Sequence, residues 1–122
     1  MQVEGITWHA VTLAPDAWAA TKKLVVDTFG QSPMMEMDGV TVFQFPNGSL
    51  LEIYTPETVP DFGYNGNVAF GFRVDDIDAA SAAIAVAGGE LLGEINRVPE
   101  MGYAYRHFKG PDGIVYGLNE QK

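Results

Sequence analysis

The sequence predicts an α+β domain built from two copies of one βαβββ module, joined as a curved mixed sheet around a pocket. Three observations predict it. Apolar runs of strand length alternate with two stretches of helical periodicity, turn signals separate them at matching places, and the same order of segments is traversed twice.

Gly5 to Ala14 is apolar and rich in Thr and Val, which reads as a strand, and Pro15-Asp16 stops it with Asp16 as the expected helix N-cap. From Ala17 to Phe29, Trp18, Leu24, Val25 and Phe29 recur at roughly helical spacing, and Gly30 ends the helix. Pro33 to Met37, Val40 to Phe45 and Ser49 to Thr55 then read as three antiparallel strands. Asp38-Gly39 and Pro46-Asn47-Gly48 supply the turns between them. Pro56 to Gly66 has two prolines, two glycines and no apolar periodicity, so it is expected to be a connection.

The order then begins again. Asn67 to Val74 reads as a strand, Asp75 to Ala87 as an alanine-rich helix stopped by Gly88-Gly89, and Glu90 to Ile95, Tyr103 to Phe108 and Ile114 to Asn119 as three strands. Asp16, Ala19, Ala20 and Val26 recur 60 residues later as Asp76, Ala79, Ala80 and Val86. Toward the end of each half the offset grows to 65, which lays Pro46-Asn47-Gly48 on Pro111-Asp112-Gly113. The expectation is one domain over 1–122, with module one at about 5–56, a linker at 57–66 and module two at about 67–120.

Composition limits the functions open to such a domain. With 122 residues, 47% hydrophobic and 19% charged, the chain can bury a core without staples. It has no cysteine, which excludes disulfides, thiolate metal sites and a cysteine nucleophile, and fits a cytoplasmic protein. Met1 to Trp8 does not read as a targeting segment and no stretch approaches the length of a membrane span, so a soluble, unprocessed chain is expected. Seven basic against sixteen acidic side chains give a net charge of −9, which argues against nucleic acid and anionic membranes as partners and would favour a cation.

Trp8-His9-Ala10-Val11-Thr12-Leu13 leading into Asp16, Leu51-Glu52-Ile53-Tyr54, Phe72-Arg73-Val74-Asp75-Asp76-Ile77-Asp78-Ala79-Ala80, and Gly110-Pro111-Asp112-Gly113 before the last strand resemble the vicinal oxygen chelate superfamily. That superfamily includes glyoxalase I, bleomycin resistance proteins, fosfomycin resistance enzymes and extradiol dioxygenases, and the resemblance covers nearly the whole chain. In its metal-dependent members each module offers one ligand from its first strand and one from its last. There a divalent metal with open positions polarises adjacent substrate oxygens.

Here the resemblance puts the first-module ligands at His9 and Glu52, and the second-module positions at Ala69 and Gly117. Neither Ala nor Gly can bind a metal, and catalytic sites normally use at least three protein ligands. No metal is therefore expected, with a divalent metal as the alternative if a third ligand comes from elsewhere. His107, sharing one face of its strand with Tyr103 and Tyr105, is the candidate for that role or a rim histidine held by its neighbours. A homodimer, as relatives usually form, would bring no further ligands.

Without a metal, His9 and Glu52 form either an imidazole–carboxylate pair able to move a proton or a buried polar pair satisfied by mutual hydrogen bonding. The small residues Ala69, Gly71 and Gly117 leave room for a ligand. Its walls are expected among Trp8, His9, Phe43, Glu52, Tyr54, Phe72, Tyr105, His107 and Tyr116, about half of which can face inward. Each aromatic has core packing as its alternative. Met34, Met35 and Met37 offer adaptable thioethers to a ligand, a subunit interface or the core.

The expected function is thus binding of a small organic compound, in the manner of bleomycin resistance proteins, with an incomplete metal site. The alternative is a metal-dependent lyase, isomerase or dioxygenase using His9 and Glu52. A role for the fold in assembly alone is the third reading. Phosphate-cradling loops, the Gly-x-Ser-x-Gly elbow and His-Glu-x-x-His are absent from the sequence.

Overall fold

The computed structural model describes residues 1–60 and 67–122, so most of the expected linker, 61–66, lies outside the described residues. The elements follow the order β1 (Val3–Thr12), α1 (Pro15–Lys23), β2 (Met35–Met37), β3 (Val40–Gln44), β4 (Leu50–Tyr54), β5 (Val68–Val74), α2 (Ile77–Val86), β6 (Glu90–Val98), β7 (Tyr103–Lys109) and β8 (Val115–Gln121). This is βαβββ twice, and the fold class is α+β as expected. The described residues fall into two compact units, His9–Val68 and Met1–Trp8 with Ala69–Lys122, and β1 contributes to both.

In the first unit the strands lie in the order β2-β3-β4-β1, and in the second β6-β7-β8-β5, with the start of β1 beside β5. Each module therefore places its last strand next to its first. The antiparallel register Met35↔Val42 and Val42↔Glu52, with Met37↔Val40 and Val40↔Tyr54, sets the first sheet. In the second, β5 runs parallel to β8 with Gly71↔Gly117 and Arg73↔Asn119. β7 runs antiparallel to β8 with His107↔Gly117 and Tyr105↔Asn119. The Asp38-Gly39 turn uses a left-handed glycine (φ 78°), and a Cβ there would stand 2.6 Å from Thr55 Oγ1.

Each sheet has one face covered by its helix. Trp18 of α1 packs with Val25, Phe43 and Ile53 and donates its indole N–H to the Ile53 carbonyl at 3.0 Å. Ile77 and Ala80 of α2 pack with Val74, Ala104, Phe108 and Leu118. By strand alternation the opposite faces carry Met35, Met37, Val40, Val42, Glu52 and Tyr54 in the first unit. In the second they carry Gly71, Arg73, Gly117, Asn119, Tyr103, Tyr105 and His107.

Three local expectations need correction. Asp16 does not cap α1: Pro15, whose fixed φ suits the first helical position, starts the helix after Ala14 and leaves Asp16 inside the first turn. Asp76 does cap α2, accepting from the Ala79 N–H at 3.0 Å. The first helix gives way at Leu24 to a π-helical turn over Leu24–Thr28. Val25 is buried there, while Leu24 and Phe29 are exposed, because Val25 lies seven residues after Trp18 and so on the same side of the helix.

Candidate functional site

Of the expected site residues, Glu52, Tyr54, Tyr105 and His107 lie on the helix-free faces, and the second unit shows what surrounds one of the expected ligand positions. Gly117 is on β8, flanked by Gly71 of β5 and His107 of β7. A Cβ at Gly117 would stand 2.6 Å from Cε3 and 3.0 Å from Cζ3 of Trp8, whose indole lies against the glycine. A Cβ at Gly71 would stand 2.5 Å from the Gly117 carbonyl oxygen. Trp8 is 6% exposed and meets the His107 ring edge-to-face at 5.2 Å.

His107 continues an aromatic row along β7. Its ring stands 6.4 Å from Tyr105, which stands 5.8 Å from Tyr103. Burial pushes the His107 imidazole down to about 4, so the ring is neutral at physiological pH. Tyr105, 37% exposed, is the outward member of the row. Asn119, directly across from Tyr105, is buried and bonds the Tyr103 hydroxyl through Nδ2 at 3.4 Å. Its Oδ1 has no hydrogen-bond partner among the described residues. Arg73, in register with Asn119, pairs with Glu4 at 3.4 Å.

The first unit holds the other two expected ligands. His9 is exposed, and its Nδ1 lies 3.2 Å from the Leu50 carbonyl oxygen. With the proton on Nδ1 the ring donates to that carbonyl and turns the Nε2 lone pair away from it. Glu52, two residues along β4 from Leu50, accepts a 2.5 Å hydrogen bond from the Tyr54 hydroxyl.

The other expected wall residues lie on the helix sides. Phe43 is wholly buried with Val25 and Ile53 and has no surface with which to meet a ligand. Phe72 and Tyr116 pack on the α2 cluster, their rings 5.8 Å apart, and the Tyr116 hydroxyl donates to Asp112 at 2.6 Å. Asn119 and Arg73 escaped the sequence reading, although each lies two residues beyond a glycine already placed on the helix-free face. Extending the alternation by one step finds both.

The residues present do not fit a four-ligand metal centre. The second-module positions carry no donor, one of them is covered by an indole, and no group of three or more His, Asp or Glu among the described residues is disposed to hold a metal. What the helix-free faces do offer is aromatic surface, a neutral imidazole, a buried carboxamide and one carboxylate.

Known proteins share this fold. A Mn(II)-bound glyoxalase from Novosphingobium aromaticivorans is 17% identical at a TM-score of 0.73, over 98% of this chain and 39% of that one. A variant of the methylmalonyl-CoA epimerase of Streptomyces coelicolor, in complex with 2-nitronate-propionyl-CoA, is 19% identical at 0.68, over 98% and 99%. A variant of 4-hydroxymandelate synthase from the same organism is 14% identical at 0.69, over 97% and 49%. The chain therefore spans less than half of two of these relatives, and at such identities the likeness is one of fold. No curated protein matches the chain. The family model described as "Glyoxalase/Bleomycin resistance protein/Dioxygenase superfamily" matches residues 7–117, and the chain belongs to that superfamily.

Proposed function

We propose that this chain binds a small organic compound on its helix-free faces without a four-ligand metal centre. The observation that carries the reading is the Trp8 indole against Gly117, which fills the place of the fourth ligand with an apolar ring. The row of His107, Tyr105 and Tyr103 beside the buried Trp8 supports it, because edge-on and tilted rings that keep some exposure offer area to a flat ligand at little entropic cost. A neutral His107 adds a hydrogen-bonding group without a charge to desolvate. The epimerase variant of the same fold has 2-nitronate-propionyl-CoA bound. The lack of cysteine suits action in the cytoplasm.

The test is ligand-observed NMR of the protein in excess chelator against flat aromatic compounds, repeated with Tyr105→Ala. The reading expects at least one compound to bind metal-free protein and to weaken by roughly tenfold, about 1.4 kcal/mol, in the variant. If compounds bind only after a divalent metal is added, the reading is wrong.

One observation favours a second reading, in which a metal-dependent or metal-free enzyme uses His9 and Glu52. The Leu50 carbonyl accepts from His9 Nδ1, the arrangement in which a backbone oxygen holds the ring of a metal-bound histidine in place. Turnover of a dicarbonyl or hydroxy-acid substrate that disappears in Glu52→Gln would establish this reading. Its persistence in the variant would remove Glu52 from the mechanism.

A further inference from the structure

The helix-free face of the second unit has a low point at Asn119. On β8 it stands in register with Arg73 of β5 on one side and with Tyr105 of β7 on the other. Both neighbours are long side chains, so the shorter carboxamide lies between two walls, each one strand spacing, about 5 Å, away. Its direction is fixed independently. Leu118 and Glu120, the residues before and after it, both turn to α2, one in the α2 cluster and the other accepting from the Ile77 N–H.

Asn119 is 5% exposed, and its hydrogen-bonding capacity is only partly used. Nδ2 reaches the Tyr103 hydroxyl at 3.4 Å with one of its two hydrogens, whereas Oδ1 makes no hydrogen bond among the described residues. Arg73 shows the same on the donor side. Its Nε lies 3.4 Å from Glu4, yet the buried Nε–H makes no hydrogen bond among the described residues. Buried polar groups left open cost folding free energy, and folded proteins satisfy nearly all of them. Here an open acceptor and an open donor sit on register partners of one face, which a ligand carrying both a donor and an acceptor would complete.

We infer that Asn119 and Arg73 select a flat, neutral heterocycle in which an N–H stands next to a carbonyl, a cyclic amide or imide. The ligand N–H donates to Asn119 Oδ1, its carbonyl accepts from the Arg73 guanidinium, and its ring lies against Tyr105. The inference rests on the organic-ligand reading above and gives it a chemical class. Charge argues for a neutral group. A ligand carboxylate would meet Glu4, the Oδ1 lone pairs and a net charge of −9, while an ammonium would meet Arg73. Oδ1 is closed to solvent, so a wall must turn outward to admit the ring, and Tyr105, 37% exposed, is the more open of the two.

The experiment is isothermal calorimetry of full-length protein in excess chelator with 2-quinolone, N-methyl-2-quinolone and quinoline-2-carboxylate. All three share a flat bicyclic ring. The second lacks the N–H donor, and the third carries a carboxylate in place of the neutral amide. The account expects 2-quinolone to bind roughly tenfold or more tightly than either. In Asn119→Leu, which keeps the side-chain volume without the polar atoms, the preference for 2-quinolone over its N-methyl form should disappear. Tyr105→Ala should weaken both and leave the preference in place. The comparison of ligands on the unsubstituted protein decides the matter even if Asn119→Leu fails to fold. Equal affinity for 2-quinolone and its N-methyl form, equally tight binding of the carboxylate, or an undiminished preference in folded Asn119→Leu would each overturn the inference. If flat aromatic compounds bind metal-free protein with no preference for 2-quinolone, the inference fails and the binding function stands. If nothing organic binds metal-free protein, both fail.

Discussion

The indole of Trp8 and the backbone of Gly117 are in such close contact that the glycine cannot gain a Cβ without displacing the ring, since that atom would stand 2.6 Å from Cε3. Residues 109 positions apart in the chain are thus matched in volume, large against absent. Gly117→Ala should cost about 1–3 kcal/mol by overpacking. Most of that cost should vanish in the Trp8→Leu background, because the two positions share one space. Urea unfolding of the four proteins in the cycle measures the coupling. Additive effects would show that the ring does not hold the glycine's place.

Acid should destabilise the fold through His107. Its imidazole is held at about 4 by burial, against 6.5 in the unfolded chain. The unfolded state therefore takes up the proton first, and stability falls as pH drops through 6.5 and goes on falling to about 4. The loss is at most roughly 3–4 kcal/mol. In His107→Phe this component should be missing while the carboxylate components remain. The difference between the urea midpoints of the two proteins from pH 7 to pH 4 isolates it.

The two modules should respond differently to loss of the matching aspartates. Asp76 caps α2 through the Ala79 N–H, and Glu120 reaches the Ile77 N–H at 3.0 Å. Asp76→Ala should cost about 1 kcal/mol. Asp16 makes no cap, so Asp16→Ala should lose only its favourable placement near a helix start, roughly 0.3–1 kcal/mol at low salt and less at high salt. Thermal melts at two ionic strengths separate the two effects.

Phe43 and Tyr105 separate packing from binding. Phe43→Ala removes a wholly buried ring and should cost about 3–5 kcal/mol. Tyr105→Ala acts on a ring more than a third exposed and should change stability by less than about 1 kcal/mol while weakening organic ligands. Paired melts and binding titrations of both variants check the contrast.

The features legible in the sequence were those encoded by neighbours along the chain. Apolar runs of strand length and the glycine turns placed the strands, and recurrence of Asp16-x-x-Ala19-Ala20 at Asp76-x-x-Ala79-Ala80 exposed the duplication. The loss of donors at Ala69 and Gly117 was equally visible. What remained hidden depends on distant contacts. No local pattern says that Trp8 lies over Gly117, that His107 stands directly across from it, or that Phe43 turns to the helix rather than to the open face. Asp16 misled because Pro15 and Asp16 both favour a helix start, and the rigid φ of proline decided which residue came first.

The most direct test of a metal-free binding protein is native mass spectrometry of the purified chain, first as isolated and then with manganese, nickel, zinc and iron(II) added in turn and removed by dialysis. With Trp8 against Gly117 and only Ala at position 69, the mass should remain that of the protein without metal in every case. A stoichiometric metal that survives dialysis and is lost in His9→Ala would contradict the account. It would mean that His9 and Glu52 had found further ligands.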